Sequence, residues 1–264
     1  MSHWTHQLFL EYGEIFLKML KSGEESAPKE VEVLVGIFAE TDVHQGDSLL
    51  DLCCGYGRHA LLLAEKGFKV MGVDLSPVMI EEAKKLAKTR GIEDRVKFLV
   101  GDAREISKLL KSKLGSFNAI INMQTSLGYY DDETDVHVLE QLNRLASSGG
   151  VLVIDITNWD YLIRHFQPFE ISELKYLPGY ERHEHRKLNF ENSRMENTWK
   201  FYKKEGEELK HIATVPLNHR LYSLHELMNL LEKTGWKYVK SYGNFELQPI
   251  TPDTPRIIIV GKKD

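Results

Sequence analysis

Gly55-Tyr56-Gly57-Arg58-His59-Ala60 has the spacing G-x-G-x-x-A, directly after an apolar run that contains Asp51. Glycines at such a turn let the backbone approach a ligand that a side chain would block. Two more carboxylates stand at matching places: Asp74 ends the next apolar run, and Asp102 follows the one after. An acid at the first of these places can accept both hydroxyls of a ribose. An acid at the second can accept from an exocyclic adenine amine, while the Ala103 N–H meets a ring nitrogen. Asp51 separates the nucleoside cofactors, because a carboxylate beside the turn repels a pyrophosphate and attracts an ammonium. Adenine, ribose, an amino-acid tail and no phosphate describe S-adenosylmethionine. Each acid also has a plainer reading: Asp51 as a cap on its own turn, Asp74 and Asp102 as acids at helix N-termini, favoured by the dipole.

The elements that must position these groups follow from periodicity. Trp4, Leu8, Phe9, Tyr12, Ile15, Phe16, Met19 and Leu20 recur at helical spacing, which predicts one amphipathic helix over 3–21. A polar break at 22–26 precedes a second helix with Pro28 in its first turn. Strands are expected at 48–52, 69–73, 96–100, 117–121 and 150–156, with helices between them near 58–66, 77–90, 104–112 and 132–146. Apolar strands alternating with helices mean a parallel sheet covered on both faces, and right-handed crossovers make it doubly wound. The ligand then lies at the carboxyl ends of the strands. Residues 166–220 lose the helical period and alternate, which predicts an inserted antiparallel sheet of three or four strands. Ser223-Leu-His-Glu226 has the form of a capping box, and two last strands, 238–242 and 256–260, are expected to pair antiparallel. The resulting division is 1–165 for the N-terminal helices and most of the cofactor-binding domain, 166–221 for the lid, and 222–264 for the closing helix and strands.

LLDLCCGYGRH, VMGVDLSP, VKFLVGDAR and FNAIINMQTSLGYYDD together resemble the class I S-adenosylmethionine-dependent methyltransferase family, over roughly 30–160 and 222–264. The resemblance implies a seven-stranded, mostly parallel Rossmann-like α/β sheet. It implies that Asp51 and the Cys53–Gly57 backbone hold the amino-acid tail, Asp74 the ribose, and Asp102 with Ala103 the adenine. Arg58, Leu75, Asn122 and Met123 complete the expected cofactor set. Cys53 departs from the pattern, standing where the family usually has the first of three glycines. The inserted sheet resembles that of small-metabolite N-methyltransferases, including those acting on sugar amines, so the expected partner is a small-molecule methyl acceptor.

Methyl transfer from a sulfonium is an in-line displacement, in which proximity and orientation supply about 7–11 kcal/mol. A base is needed only when the acceptor holds its proton. The segment Asn122-Met-Gln-Thr replaces the Asn/Asp-Pro-Pro-Tyr/Phe motif of amide and nucleobase N-methyltransferases, which disfavours those acceptors. Tyr129 and Tyr130 are candidates to orient the acceptor or stack on the sulfonium. His165 is a third catalytic candidate, and Asn158, Tyr161 and Arg164 are second-choice acceptor contacts. His59 and Arg58 also read as local partners of backbone or of a nearby acid. His183 and His185 share a strand face, but no third metal ligand is evident. The aromatics of the insertion are expected to cover the active site or to form a homodimer contact.

Composition narrows the remaining classes. The chain has 264 residues, 42% hydrophobic and 28% charged, with net charge −5. This argues against a dedicated nucleic-acid binder. The two cysteines, Cys53 and Cys54, are adjacent and give no disulfide framework, so a reducing, cytoplasmic setting is expected. No uncharged apolar stretch reaches the roughly 20 residues needed to span a bilayer. The competing readings are a nicotinamide-dependent oxidoreductase, an RNA methyltransferase and a non-catalytic scaffold. Asp51 and the absence of a Tyr-x-x-x-Lys pair oppose the first.

Overall fold

The structure is a computed structural model that describes residues 3–21 and 24–264. Five strands alternate with helices: β1 (Ser48–Leu52), β2 (Lys69–Asp74), β3 (Val96–Val100), β4 (Phe117–Asn122) and β5 (Ala146–Thr157). Four more, β6 (Phe169–Glu173), β7 (Tyr180–Asn189), β8 (Arg194–Glu205) and β9 (Glu208–Arg220), fill the insertion, and β10 (Trp236–Tyr242) and β11 (Arg256–Lys263) follow. The helices are α1 (Trp4–His6), α2 (Gly13–Lys21), α3 (Ala27–Glu40), α4 (Arg58–Glu65), α5 (Pro77–Arg90), α6 (Ile106–Leu109), α7 (Asp132–Leu145), α8 (Trp159–Arg164) and α9 (Leu224–Lys233).

The main sheet has seven strands in the order β10-β11-β5-β4-β1-β2-β3. The pairs among β1 to β5 are parallel, and β11 runs antiparallel to both β5 and β10. This is the seven-stranded Rossmann-like methyltransferase fold, with the antiparallel sheet β6-β7-β8-β9 as its insertion. The order reverses between β1 and β4, so a crevice opens outside their carboxyl ends. Both faces are covered: α3, α4 and α5 pack on one through residues such as Leu34, Leu61 and Ile80, and α7 and α9 on the other through Leu139, Leu142 and Leu227. The inserted sheet packs on the N-terminus instead, where Trp4, Leu8 and Phe9 meet Phe201, Ala213 and Val215.

Local signals act as their chemistry dictates. Ser76 caps α5 by accepting from Met79 N, with Pro77 behind it, and Gly91 ends the helix left-handed. Ser223 and Glu226 make a complete capping box at α9.

Two expectations are corrected, and one helix is added. The single helix over 3–21 is instead α1, a π-helical segment Gln7–Glu11 and α2. Tyr12 N reaches back to Gln7 O, and the widened turn lets Phe9 pack on Trp4 and Phe16 together. The helix expected near 104–112 breaks into 3₁₀ turns around α6, because Gln141 of α7 competes for Ser107 N and for the Arg104 carbonyl. The segment after β5 carries α8, started by Asn158 accepting from Asp160 N, which the sequence did not announce. The polar break at 22–26 lies partly outside the described residues. Among the described residues, no helix is long and apolar enough to cross a membrane.

Candidate active site

The turn after β1 is held open by backbone geometry. Cys53, Gly55 and Gly57 all have positive φ, at 60°, 55° and 80°. A side chain on Gly57 would stand 2.6 Å from the Phe98 ring, so this position needs glycine twice over. Cys53 accepts the same backbone at a cost of about 1 kcal/mol. A second left-handed pair, Gln124 and Thr125 (φ 58° and 60°), follows β4. Asp155 over-determines that kink: its carboxylate accepts from Gln124 N at 3.0 Å and is gripped by Arg256 at 2.7 Å through both Nε and Nη2.

Between these turns lies a cavity of about 340 Å³, in the range of small-ligand sites. Its wall includes Asp51, Cys53, Gly55, Arg58, Asp74, Leu75, Asp102, Ala103, Met123, Tyr129 and Tyr130. The three carboxylates thus share one cavity, and each is in a distinct state. Asp51 is 1% exposed; Ala60 N–H donates to its carboxylate, while its Oδ2 has no partner. Burial, helped by the Asp74 charge, pushes it up to about 8. Asp74 accepts from Gly55 N at 2.8 Å and Ser76 N at 2.9 Å, and burial raises its pKa despite those bonds. Burial opposes ionisation of Asp102 as well, but the Arg104 side chain and N–H, at 2.6 to 3.1 Å, hold it below the usual carboxylate range.

Three expected residues lie elsewhere. Gly57 caps α4 behind the wall. Asn122 faces a small neighbouring void and donates to Leu52 O at 3.1 Å, bracing the strand before the turn. His165 packs against the Tyr161 ring and lies 3.7 Å from Asp253, away from the cavity. The second-choice contacts go with it: Asn158 donates to Thr251 O and Thr254 O, and Arg164 to Asp253. His183 pairs with Glu181, and no metal-binding cluster occurs among the described residues. The aromatics of the insertion do not line the cavity: Phe201 is buried against the N-terminus, while Phe169, Tyr176 and Phe190 are exposed. The cover comes instead from Phe9, Phe16 and Met19 of the N-terminal helices.

Glu30 of α3 was not anticipated, since nothing in its spacing marks it. It is buried and accepts from Ser26 Oγ, Arg58 Nη2, His59 Nε2 and Gln124 Nε2 at 2.6 to 3.3 Å. Arg58, His59 and Gln124 line the cavity, so one acid fixes three wall residues. Burial alone would raise Glu30, but His59 and Arg58 hold it down to about 2. An acid with a depressed folded pKa stabilises above its unfolded value, and that stability is lost as pH falls through the folded one. Glu30→Gln is therefore expected to lower unfolding stability by about 1–3 kcal/mol at neutral pH. Urea midpoints should show the gap from wild type shrinking as pH falls from about 5 toward 3.

Comparison with known proteins agrees with this fold. Residues 49–150 match the family described as "Methyltransferase domain". Mouse (Mus musculus) glycine N-methyltransferase is 31% identical over 137 residues, covering 49% of this chain and 46% of the relative. The chain spans about half the length of the curated relatives it matches. An S-adenosylmethionine-dependent methyltransferase from Clostridium acetobutylicum superposes with a TM-score of 0.76 at 17% identity, over 96% of this chain and 98% of that one. CalS10, an amino pentose methyltransferase from Micromonospora echinaspora solved with S-adenosylmethionine bound, gives a TM-score of 0.64 at 19% identity over 96% of each chain.

Proposed function

We propose that this chain, a class I S-adenosylmethionine-dependent methyltransferase by its matched domain and its fold, methylates a small-molecule acceptor at nitrogen or oxygen. The observation that carries this reading is the set of three carboxylates at three adjacent strand ends on one cavity wall. An ammonium, which draws Asp51 into its ionised form, a ribose diol and an adenine amine each find an acceptor there, whereas a dinucleotide pyrophosphate gains nothing from these acids. The unpartnered Oδ2 of buried Asp51 fits a cationic donor in particular. Bound S-adenosylmethionine supplies an activated methyl group on a sulfonium.

The chain's own residues bind, orient and exclude water. Asp51, the Gly55 backbone and Arg58 would hold the amino-acid tail, Asp74 the ribose, and Asp102 with Ala103 the adenine. Phe9, Phe16 and Met19 give the cavity an apolar roof that would exclude water from the bound methyl group. Burial raises the pKa of both Tyr129 and Tyr130, so they stay neutral phenols and serve as ring faces and hydrogen-bond partners rather than bases. Tyr130 is fixed on three sides, by Thr5 Oγ1 at 3.1 Å, the His3 ring at 4.5 Å and the Arg104 guanidinium at 4.4 Å. Incubation with methyl-labelled S-adenosylmethionine and a panel of small amines and hydroxy compounds tests the reading. Label transfer to at least one acceptor is expected, and transfer to none despite cofactor binding would leave a scaffold.

Asp51 gives this site a pH signature. Burial pushes its carboxyl up to about 8 and so favours the protonated form at pH 7, while an ammonium prefers it ionised. Cofactor binding is therefore expected to release a proton near neutral pH and to tighten as pH rises from about 6 to 8. Calorimetry of S-adenosylhomocysteine binding in buffers of different ionisation enthalpy measures the release directly. Asp51→Asn should abolish it.

A further inference from the structure

The inserted sheet sends one side chain to the cavity wall among the described residues, Arg182 of β7. Its guanidinium lies 4.6 Å over the Trp199 ring, and the side chain is 18% exposed. Nη2 is 2.5 Å from Glu184 Oε1, Nη1 donates to Met19 Sδ at 3.0 Å, and Nε is buried with no partner. Glu184 Oε1 forms the ion pair with Nη2, and its Oε2 is pinned by Arg186 Nε, Asn197 Nδ2 and Trp199 Nε1 at 2.7 to 3.0 Å. A thioether is a weak acceptor, so Nη1 is the group a ligand oxygen would match better. Glu184 thus backs Arg182 in place. Of the wall carboxylates, Gly55 and Ser76 hold Asp74 and Arg104 holds Asp102, while Asp51 stands beside the glycine turn.

A guanidinium fixed on an aromatic face at a cavity wall, with its Nη1 spent on a thioether, can receive an oxyanion in place of that weak acceptor. Arg58, the other arginine on the wall, is tied to Glu30 beside the glycine turn, where the cofactor tail belongs. Arg182 instead meets Met19 on the roof formed by the N-terminal helices. We propose that the methyl acceptor bears an oxyanion, a carboxylate, phosphate or sulfate, and that Arg182 binds it while Phe9, Phe16 and Tyr129 flank its apolar body. This deepens the methyltransferase reading and rests on it.

The test uses the full chain saturated with S-adenosylhomocysteine and titrated with matched acids and amides: 4-aminobenzoate and 4-aminobenzamide, 3-aminopropanoate and its amide, salicylate and salicylamide. At least one acid should bind roughly tenfold or more tightly than its amide, the scale of a charge-assisted hydrogen bond. Arg182→Gln should erase that preference while leaving S-adenosylhomocysteine affinity close to wild type, with a lower melting temperature because Glu184 loses its partner. Arg182→Lys, which keeps the charge, should retain part of it. Equal binding of every acid and amide, or a preference that survives Arg182→Gln, overturns the proposal. So does a loss of S-adenosylhomocysteine affinity in Arg182→Gln, which would assign the arginine to the cofactor. Wild-type protein that fails to bind S-adenosylhomocysteine would undo the underlying methyltransferase reading, a result distinct from all of these.

Discussion

Asp74→Ala is expected to weaken S-adenosylhomocysteine binding by about 2–4 kcal/mol, roughly 30- to 1,000-fold. Two losses combine. The ribose loses a charged acceptor, and the Gly55 and Ser76 N–H groups lose the carboxylate that holds the glycine turn in its ligand-ready shape. Fold stability should move far less, because removing a buried acid also removes the burden of desolvating it. Asp74→Asn, which keeps one acceptor oxygen, should fall between wild type and alanine. Titration calorimetry and a melting curve on the same preparations separate the two effects. Unchanged affinity in Asp74→Ala would remove this residue from the ribose site.

Gly128→Ala should produce the largest loss of stability of any single methyl group added at the site, about 2–4 kcal/mol. Gly128 has φ of 95°, and a Cβ there would run into the Arg220 carbonyl. Its N–H donates to Asp135 Oδ1 at 3.2 Å and its carbonyl accepts from Arg220 N at 2.8 Å. The glycine therefore stitches the loop bearing Tyr129 and Tyr130 to the end of β9. Relief of the clash must displace both tyrosines, so acceptor turnover should fall by more than cofactor affinity. A urea midpoint that does not move would show that the loop can yield at no cost.

The parallel core was legible because its strands are continuous apolar runs punctuated by helix caps, and such signals are local. Ser76-Pro77, Gly91 and the Ser223–Glu226 box each act within a few residues of themselves. The same holds for the three acids, whose positions follow from strand ends. What escaped the sequence is long-range. Glu30 meets His59 across 29 residues and Gln124 across 94, and Arg182 reaches Met19 across 163. No periodicity encodes such meetings, since they depend on how finished elements pack. His165 shows the converse: it follows the fifth strand at a suitable distance in sequence, but α8 carries it outward to Asp253. The π-helical turn at Gln7–Glu11 was hidden because its residues keep a helical apolar pattern, and only their packing on Tyr129 and the inserted sheet shows the extra residue.

A cavity with three acids at three strand ends should take a nucleoside with a charged amino-acid tail and no phosphate. Calorimetric titration of the purified chain with S-adenosylhomocysteine, and separately with NADH, tests it most directly. Stoichiometric micromolar binding of the first, with proton release near pH 7, and no binding of the second are expected. NADH binding without S-adenosylhomocysteine binding would contradict it, because a pyrophosphate would then be accepted beside Asp51.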